Sequence, residues 1–379
     1  MKTFKFSEAK RIVIKLGSSI VTNSKGLDEQ FLSHLIKQIA FIVEQGTDVL
    51  IVSSGSVAAG LKRLGIKKRP HILSQLQAAA AVGQMDLAQI YQKIFLENNL
   101  VAAQVLLTHD DLSDRKKYLN ARSTLHNLLG NKVVPIVNEN DTVATDEIRF
   151  GDNDTLAAMV SNLIEADCLV ILTDQDGLFT EDPKKNGNAE LIHHAYVDDE
   201  ELDKLASGTF SDVGTGGMLT KIYAARRAAL SGTHTIIASG KNKDILKLLQ
   251  ADKEIGTLLQ SRELKLVARK KWLADHLRSH GRVFIDEGAA NALINEGKSL
   301  LPIGIRKIEG KFDRGEVVDC VNESGKKIAR GLVNYNSDEA KKIIGLSSDK
   351  IEVTLGYVNE LNLIHRNNLV ITSSVRKNK

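Results

Sequence analysis

Cysteine is nearly absent from this chain of 379 residues, with two in total. Cys168 and Cys320 stand far apart, so a disulfide framework and a cysteine-based zinc site are excluded. Cys168 lies in the apolar run Cys168-Leu169-Val170-Ile171-Leu172 and reads as a buried thiol, which points to the cytoplasm. Aromatics make up 4%, with Trp272 the single tryptophan, so stacking platforms for nucleic-acid bases are scarce. No run approaches the roughly 18 apolar residues of a membrane-spanning helix. Residues 1–10 are polar and basic, and the apolar run after them is cut by Lys15, so no targeting segment is expected. No low-complexity tract or short repeat is apparent.

What is present fits a globular protein of two domains. Apolar residues are 42% and charged residues 26%, and the length exceeds what one ordinary core organises. Net charge is +4, unevenly spread: residues 1–260 carry −3 and residues 261–379 carry +7. The basic excess therefore belongs to the C-terminal third.

From Arg11 to about Gln260, short apolar runs alternate with helix-like runs. Strands are expected at Ile12–Leu16, Val49–Ser53, Val101–Leu107, Val133–Val137, Leu169–Thr173 and Thr235–Ala238. Their nearly continuous apolar character predicts burial on both faces. Helices are expected at Asp28–Glu44, Leu73–Asn98, Arg115–Leu129, Thr155–Ile164 and Leu219–Ser231. Such alternation predicts an α/β fold with a largely parallel central sheet between helices. The pattern changes near Leu264. Residues 1–262 form one domain, 263–279 a basic linker helix, and 280–379 a small β-rich domain in which helices largely disappear. Its strands are expected at Val283–Ile285, Ile303–Ile308, Val317–Val321, Ile328–Val333 and Ile351–Thr354.

Ligands of open α/β sheets sit at the carboxyl ends of the strands. Four polar segments fall there. Lys15-Leu16-Gly17-Ser18-Ser19 closes the first strand, and Gly17 lets a ligand approach the backbone. Ser53-Ser54-Gly55-Ser56 precedes a helix and suits either an anion or an ordinary helix cap. Asn138-Glu139-Asn140-Asp141 and Gly151-Asp152-Asn153-Asp154 flank one loop. Their seven carboxylates and amides exceed what Asx-turn chemistry alone needs. Thr173-Asp174 follows a strand, and Gly214-Thr215-Gly216-Gly217-Met218-Leu219-Thr220-Lys221 is a glycine-rich turn feeding a helix, with a lysine in its first turn. Backbone N–H groups, helix dipole and ammonium charge suit a phosphate there. Neither the P-loop nor the dinucleotide fingerprint is matched.

In order and spacing these segments resemble the amino acid kinase family over about residues 10–260, and within it the members acting on the side-chain carboxylate of L-glutamate. The C-terminal part resembles a PUA domain, through Gly297-Lys298-Ser299-Leu300-Leu301-Pro302-Ile303-Gly304, Gly310-Lys311-Phe312-Asp313-Arg314-Gly315 and Ala329-Arg330-Gly331-Leu332. One departure is Leu219, where many members carry a small polar residue. Backbone donors there are unaffected.

The resemblance implies phosphoryl transfer from ATP to L-glutamate, giving ADP and L-glutamyl 5-phosphate. Lys15 and Lys221 are expected on the phosphoryl oxygens, with Asp154 orienting both. L-Glutamate is expected over Ser54, Asp141 and Asn153, with Asn138 and Asp152 nearby. ATP is expected along Lys15, Thr173, Asp174 and the loop Thr215, Gly216, Gly217, Met218, Leu219, Thr220 and Lys221. Mg2+ accompanies ATP, held mostly by phosphates and water, with no dedicated protein site. The acceptor carboxylate, with pKa ~4.3, is already ionised at pH 7, so no histidine base is required. Members of the family feed proline synthesis and are commonly inhibited by proline, and a homo-oligomer is expected. Kinases of the same fold acting on acetylglutamate, aspartate, carbamate or UMP are the nearest alternative, disfavoured by the PUA-like segment. RNA binding through residues 280–379 is a second alternative, disfavoured by the scarcity of aromatics.

Overall fold

The computed structural model of the chain describes residues 3–23, 26–144, 153–183, 185–207, 217–262 and 279–372. The chain divides into two compact units, residues 1–113 with 120–268, and 114–119 with 269–379. The linker helix expected at 263–279 lies outside the described residues, except Ser279, which begins a strand.

The main sheet of the first unit has eight strands. In chain order these are β1 (Arg11–Leu16), β2 (Asp48–Val52), β3 (Val101–Leu107), β4 (Val133–Glu139), β5 (Cys168–Thr173), β6 (His194–Tyr196), β7 (His234–Ser239) and β8 (Thr257–Gln260). Their spatial order is β3-β4-β2-β1-β5-β7-β8-β6. Only the β7–β8 pair is antiparallel. β1 is therefore central, with Lys15 beside Val52 of β2 and Ile171 of β5.

Central strands are apolar because helices cover both faces. Ile12, Val13, Ile14 and Leu16 are wholly buried, as is every residue from Cys168 to Leu172. Burying each such side chain contributes on the order of 2 kcal/mol. The helix α1 (Glu29–Glu44) shows how the cover is built. Asp28 caps it by accepting from the Phe31 N–H, and Leu32, Leu35, Ile36, Ile39 and Ile42 form its buried stripe. Further helices are α2 (Ser56–Arg63), α3 (Leu73–Glu97), α4 (Asp154–Ile164) and α5 (Met218–Ala229). No described helix is long and apolar enough to cross a membrane.

The expected burial on both faces fails for β3. It is an edge strand, and Val101 is 57% exposed. The edge strand β6 and its neighbour β8 escaped the sequence pattern because each is three or four residues long and carries polar side chains.

The second unit has a five-stranded mixed sheet: β9 (Ser279–Ile285), β10 (Ile305–Gly310), β11 (Val317–Val321), β12 (Lys327–Leu332) and β13 (Leu369–Ile371), in the order β10-β9-β11-β12-β13. Val283, Ile285, Phe312, Val318, Cys320 and Tyr335 lie in its core. Helices do not disappear here, contrary to expectation. α6 (Glu287–Asn295) and α7 (Ser337–Ile343) are present, the latter opened by a capping box between Asn336 and Glu339. Nor is Ile351–Thr354 a strand. It belongs to the short helix Ile351–Leu355, closed by left-handed Gly356. Ile351 is buried while Val353 is 88% exposed, so the segment faces the core once per helical turn despite its β-branched residues.

Candidate active site

Lys15 is the last residue but one of a buried strand, yet its Nζ is held by charge. It lies 2.6 Å from Asp154 Oδ1, and Lys221 Nζ lies 2.9 Å from Asp154 Oδ2. Asp154 is fully buried and both lysine side chains are 6% exposed. One carboxylate thus bridges two ammonium groups, leaving a net charge of one positive unit. The folding reason is local. Asp154 is the first residue of α4, where a helix N-terminus favours an anion, and Lys221 is the fourth residue of α5, which packs against α4. The Thr220 hydroxyl bonds Asp154 Oδ2 at 3.1 Å and the Gly217 carbonyl at 2.8 Å, adding a third hold on the carboxylate.

Two strand ends and the start of α4 build the neighbouring subsite. After β2, Gly55 adopts φ 101°, and a Cβ there would stand 2.8 Å from Val21 Cγ2. Glycine is required by both conformation and space. Gly55, not a serine, occupies the N-cap of α2, and no side chain caps that helix. The Ser54 hydroxyl, buried, makes no hydrogen bond among the described residues. Ser56 Oγ instead donates to Asp141 Oδ2 at 2.8 Å. Asn153 Nδ2 donates to the Ser53 carbonyl at 2.5 Å and to Asn138 Oδ1 at 2.8 Å. Asn138 Nδ2 in turn donates to Gln84 Oε1 at 2.7 Å. Ser53 Oγ donates to the Ser54 carbonyl at 3.2 Å and stands 2.9 Å from the Tyr91 hydroxyl. Burial raises the Tyr91 pKa, and its bond to Ser53 offsets this in part, so the phenol keeps its proton.

Two glycines at the lysines have no internal reason to be glycine. Gly17 (φ −69°) and Gly217 (φ −67°) have ordinary backbones. A Cβ would meet only ordinary contacts at Gly17, 3.6 Å or more away, and nothing within 4 Å at Gly217. Space is therefore kept open at both turns. Gly217 is the N-cap of α5 with no side-chain cap, leaving first-turn N–H groups for an anion. Thr173, at the end of β5, bonds Asp174 Oδ1 at 3.2 Å. Met218 is buried and Leu219 half-buried on α5.

The amino acid kinase family model matches residues 10–239. The chain belongs to the amino acid kinase family. The PUA domain model matches residues 281–355, so the family domain is followed by a PUA domain. The chain is similar to a glutamate 5-kinase of Nitrosospira multiformis, 57% identical over 365 residues, which are 96% of this chain and 98% of the relative. It is likewise similar to glutamate 5-kinases of Nitrosomonas eutropha, 57% identical over 364 residues (96% and 98%), and Ectopseudomonas mendocina, 54% over 368 (97% and 99%). Among solved structures, a UMP kinase from Bacillus anthracis is similar at a TM-score of 0.48 and 15% identity, over 67% of this chain and 97% of its own.

The fold brings Lys15, Asp154 and Lys221 into contact, and joins Asn138 to Asn153. Asp141 stands at Ser56. Asp152, Thr215 and Gly216 lie outside the described residues. Ser56, Gln84 and Tyr91 support the subsite and were not singled out in the sequence. Ser56 stood inside a quoted motif, but Gln84 and Tyr91 lie mid-helix with no local mark.

Proposed function

We propose that this family member transfers the γ-phosphoryl group of ATP to the side-chain carboxylate of L-glutamate. The observation that carries the chemistry is the buried Lys15–Asp154–Lys221 ion triad beside two turns whose glycines leave room for a ligand. The names of the relatives support glutamate as acceptor. Residues 1–262 would carry the reaction, and residues 280–379 the PUA-like domain.

The acceptor carboxylate attacks phosphorus. The bond from phosphorus to the β–γ bridging oxygen breaks, ADP leaves, and an acyl phosphate forms. No proton needs removing, because the acceptor is ionised at neutral pH with a pKa ~4.3. The difficulty is repulsion between two anions, and catalysis rests on positioning and charge neutralisation. Lys15 serves the phosphoryl oxygens from the acceptor side and Lys221 from the nucleotide side. Asp154 holds both lysines in range until the phosphate takes up their charge.

The acceptor lies over Ser54, Asp141 and Asn153, with Asn138 and Asp152 beside it. Both Asn153 amide hydrogens are committed, so its Oδ1 is what it offers, and with the Asp141 carboxylate it suits an α-ammonium group. The nucleotide lies along Thr173, Asp174 and residues 215–221. Mg2+ arrives with ATP. Phosphates and water would hold most of its coordination sphere. Proline inhibition, a homo-oligomeric state and a cytoplasmic location complete the proposal, on the family resemblance.

The test is ADP release measured across L-glutamate, N-acetylglutamate, aspartate and UMP. The highest kcat/KM belongs to glutamate. A higher value for any of the others overturns the acceptor assignment.

A further inference from the structure

Helix α3 carries three polar side chains at seven-residue intervals: Gln77, Gln84 and Tyr91. Seven residues are nearly two full turns, so the three share one side of the helix at a rise of about 10 Å each. Each reaches a different segment around the acceptor subsite. Gln77 Nε2 donates to the Ala144 carbonyl at 3.0 Å, in the loop that follows Asp141. Gln84 Oε1 accepts from Asn138 Nδ2 at 2.7 Å. The Tyr91 hydroxyl stands 2.9 Å from Ser53 Oγ. The helix itself is locked to α2. A Cβ on Gly83 would lie 1.9 Å from the Ser56 carbonyl oxygen, and one on Gly60 would lie 1.7 Å from that of Ala79. The two backbones therefore touch, immediately beside Gln84 and Ser56.

We infer that this ladder fixes the acceptor subsite, and that Gln84 is a positioning residue that sets its hydrogen-bond polarity toward the substrate ammonium group. The inference rests on the proposed glutamate kinase activity. Primary amides have a donor end and an acceptor end, and either can point toward a ligand. Gln84 Oε1 takes the Asn138 donor end. Asn138 Oδ1 must then face Asn153 and take its donor end. The second Asn153 hydrogen goes to the Ser53 carbonyl, in the turn that Tyr91 holds. The chain of amides thus ends with an acceptor, Asn153 Oδ1, for the ligand. Without an oxygen at position 84, Asn138 is free to turn over, and Asn153 loses its fixed sense. Its NH2 group would then meet the ammonium.

The experiment compares Gln84→Met, Gln84→Glu and Tyr91→Phe with the wild type in ADP-release kinetics. Glutamate and glutarate, which lacks the ammonium, are the acceptors. In Gln84→Met, KM for glutamate rises about tenfold, the equivalent of one lost hydrogen bond, while KM for ATP and the thermal midpoint stay near wild type. The preference for glutamate over glutarate falls by about the same factor. Gln84→Glu has oxygens at both positions, can only accept, and restores glutamate KM. Tyr91→Phe raises KM for glutamate and leaves that for ATP unchanged. An unchanged glutamate-to-glutarate ratio in Gln84→Met, or a Gln84→Glu enzyme as impaired as Gln84→Met, overturns the inference. So does an equal rise in both KM values. Wild-type turnover with glutamate is read in the same series, and its absence would count against the proposed activity instead.

Discussion

Replacing Asp154 by Asn tests the ion triad with little change in shape. The substitution removes one negative charge from between two lysines whose nitrogens stand 2.6 and 2.9 Å from its oxygens. Across a carboxylate those nitrogens are roughly 6 Å apart, and at an effective dielectric near 20 their repulsion is about 3 kcal/mol. Breaking a buried ion pair by removing one partner costs about 3–5 kcal/mol, which agrees in size. Three effects follow, the last opposite in sign to the first. The free protein loses about 3 kcal/mol, a drop of roughly 6–12 °C in thermal midpoint for a unit of this size. Turnover falls about 150-fold if the same energy is lost from the transition state. Binding of a non-hydrolysable ATP analogue, in contrast, stabilises Asp154→Asn more than the wild type, because the phosphates replace the missing charge. Thermal unfolding with and without the analogue, beside ADP-release kinetics, reads all three. A folded variant within tenfold of wild-type turnover refutes the reasoning, as does an analogue-induced shift no larger than that of the wild type.

Lys15→Met and Lys221→Met each lower kcat by at least about 100-fold while KM changes less, since each removes charge stabilisation that grows in the transition state; steady-state kinetics checks this, and near-normal kcat in either removes the role from that lysine. Gly17→Ala meets no contact closer than 3.6 Å, so its thermal midpoint stays near wild type while phosphoryl transfer weakens; full activity would mean that no ligand needs that space. Burial first, with Asp319 adding and Lys327 opposing, pushes the Cys320 thiol from 9.0 to about 12. The folded state holds that proton more tightly, so its contribution is complete below pH 9 and falls by roughly 1.4 kcal/mol per pH unit as pH rises toward 12. Denaturant unfolding against pH should show a shallower alkaline decline in Cys320→Ala, and an equal slope in both proteins contradicts the assignment.

The central strands were legible because burial on both faces leaves one kind of sequence, a short apolar run, as at Ile12–Leu16 and Cys168–Thr173. Edges obey no such rule. Val101–Leu107 is apolar yet half exposed, and His194–Tyr196 is held by pairing with β8 at positions that carry no pattern. Lys15, Asp154 and Lys221 were each legible as residues of a polar strand end or helix start. Their meeting depends on β1 lying between β2 and β5, which is a property of strand order. Ile351 misled because its β-branched neighbours favour a strand, while only the helical repeat buries it. Gln84 gave no warning at all. A glutamine in an alanine-rich helix is an ordinary surface residue until its partner, 54 positions away, is known.

The touching backbones of Gly60 and Gly83 bear on adaptability. Helices separated by side chains can slide a little as rotamers change, and such sliding is how many sites adjust to a new ligand. Here no layer of side chains lies between the two helices at the crossing, so there is nothing to repack. The turn carrying Ser54 and the helix carrying Gln84 move together or not at all. A change of acceptor would have to come from the side chains that face the ligand, since the frame behind them has no slack to give.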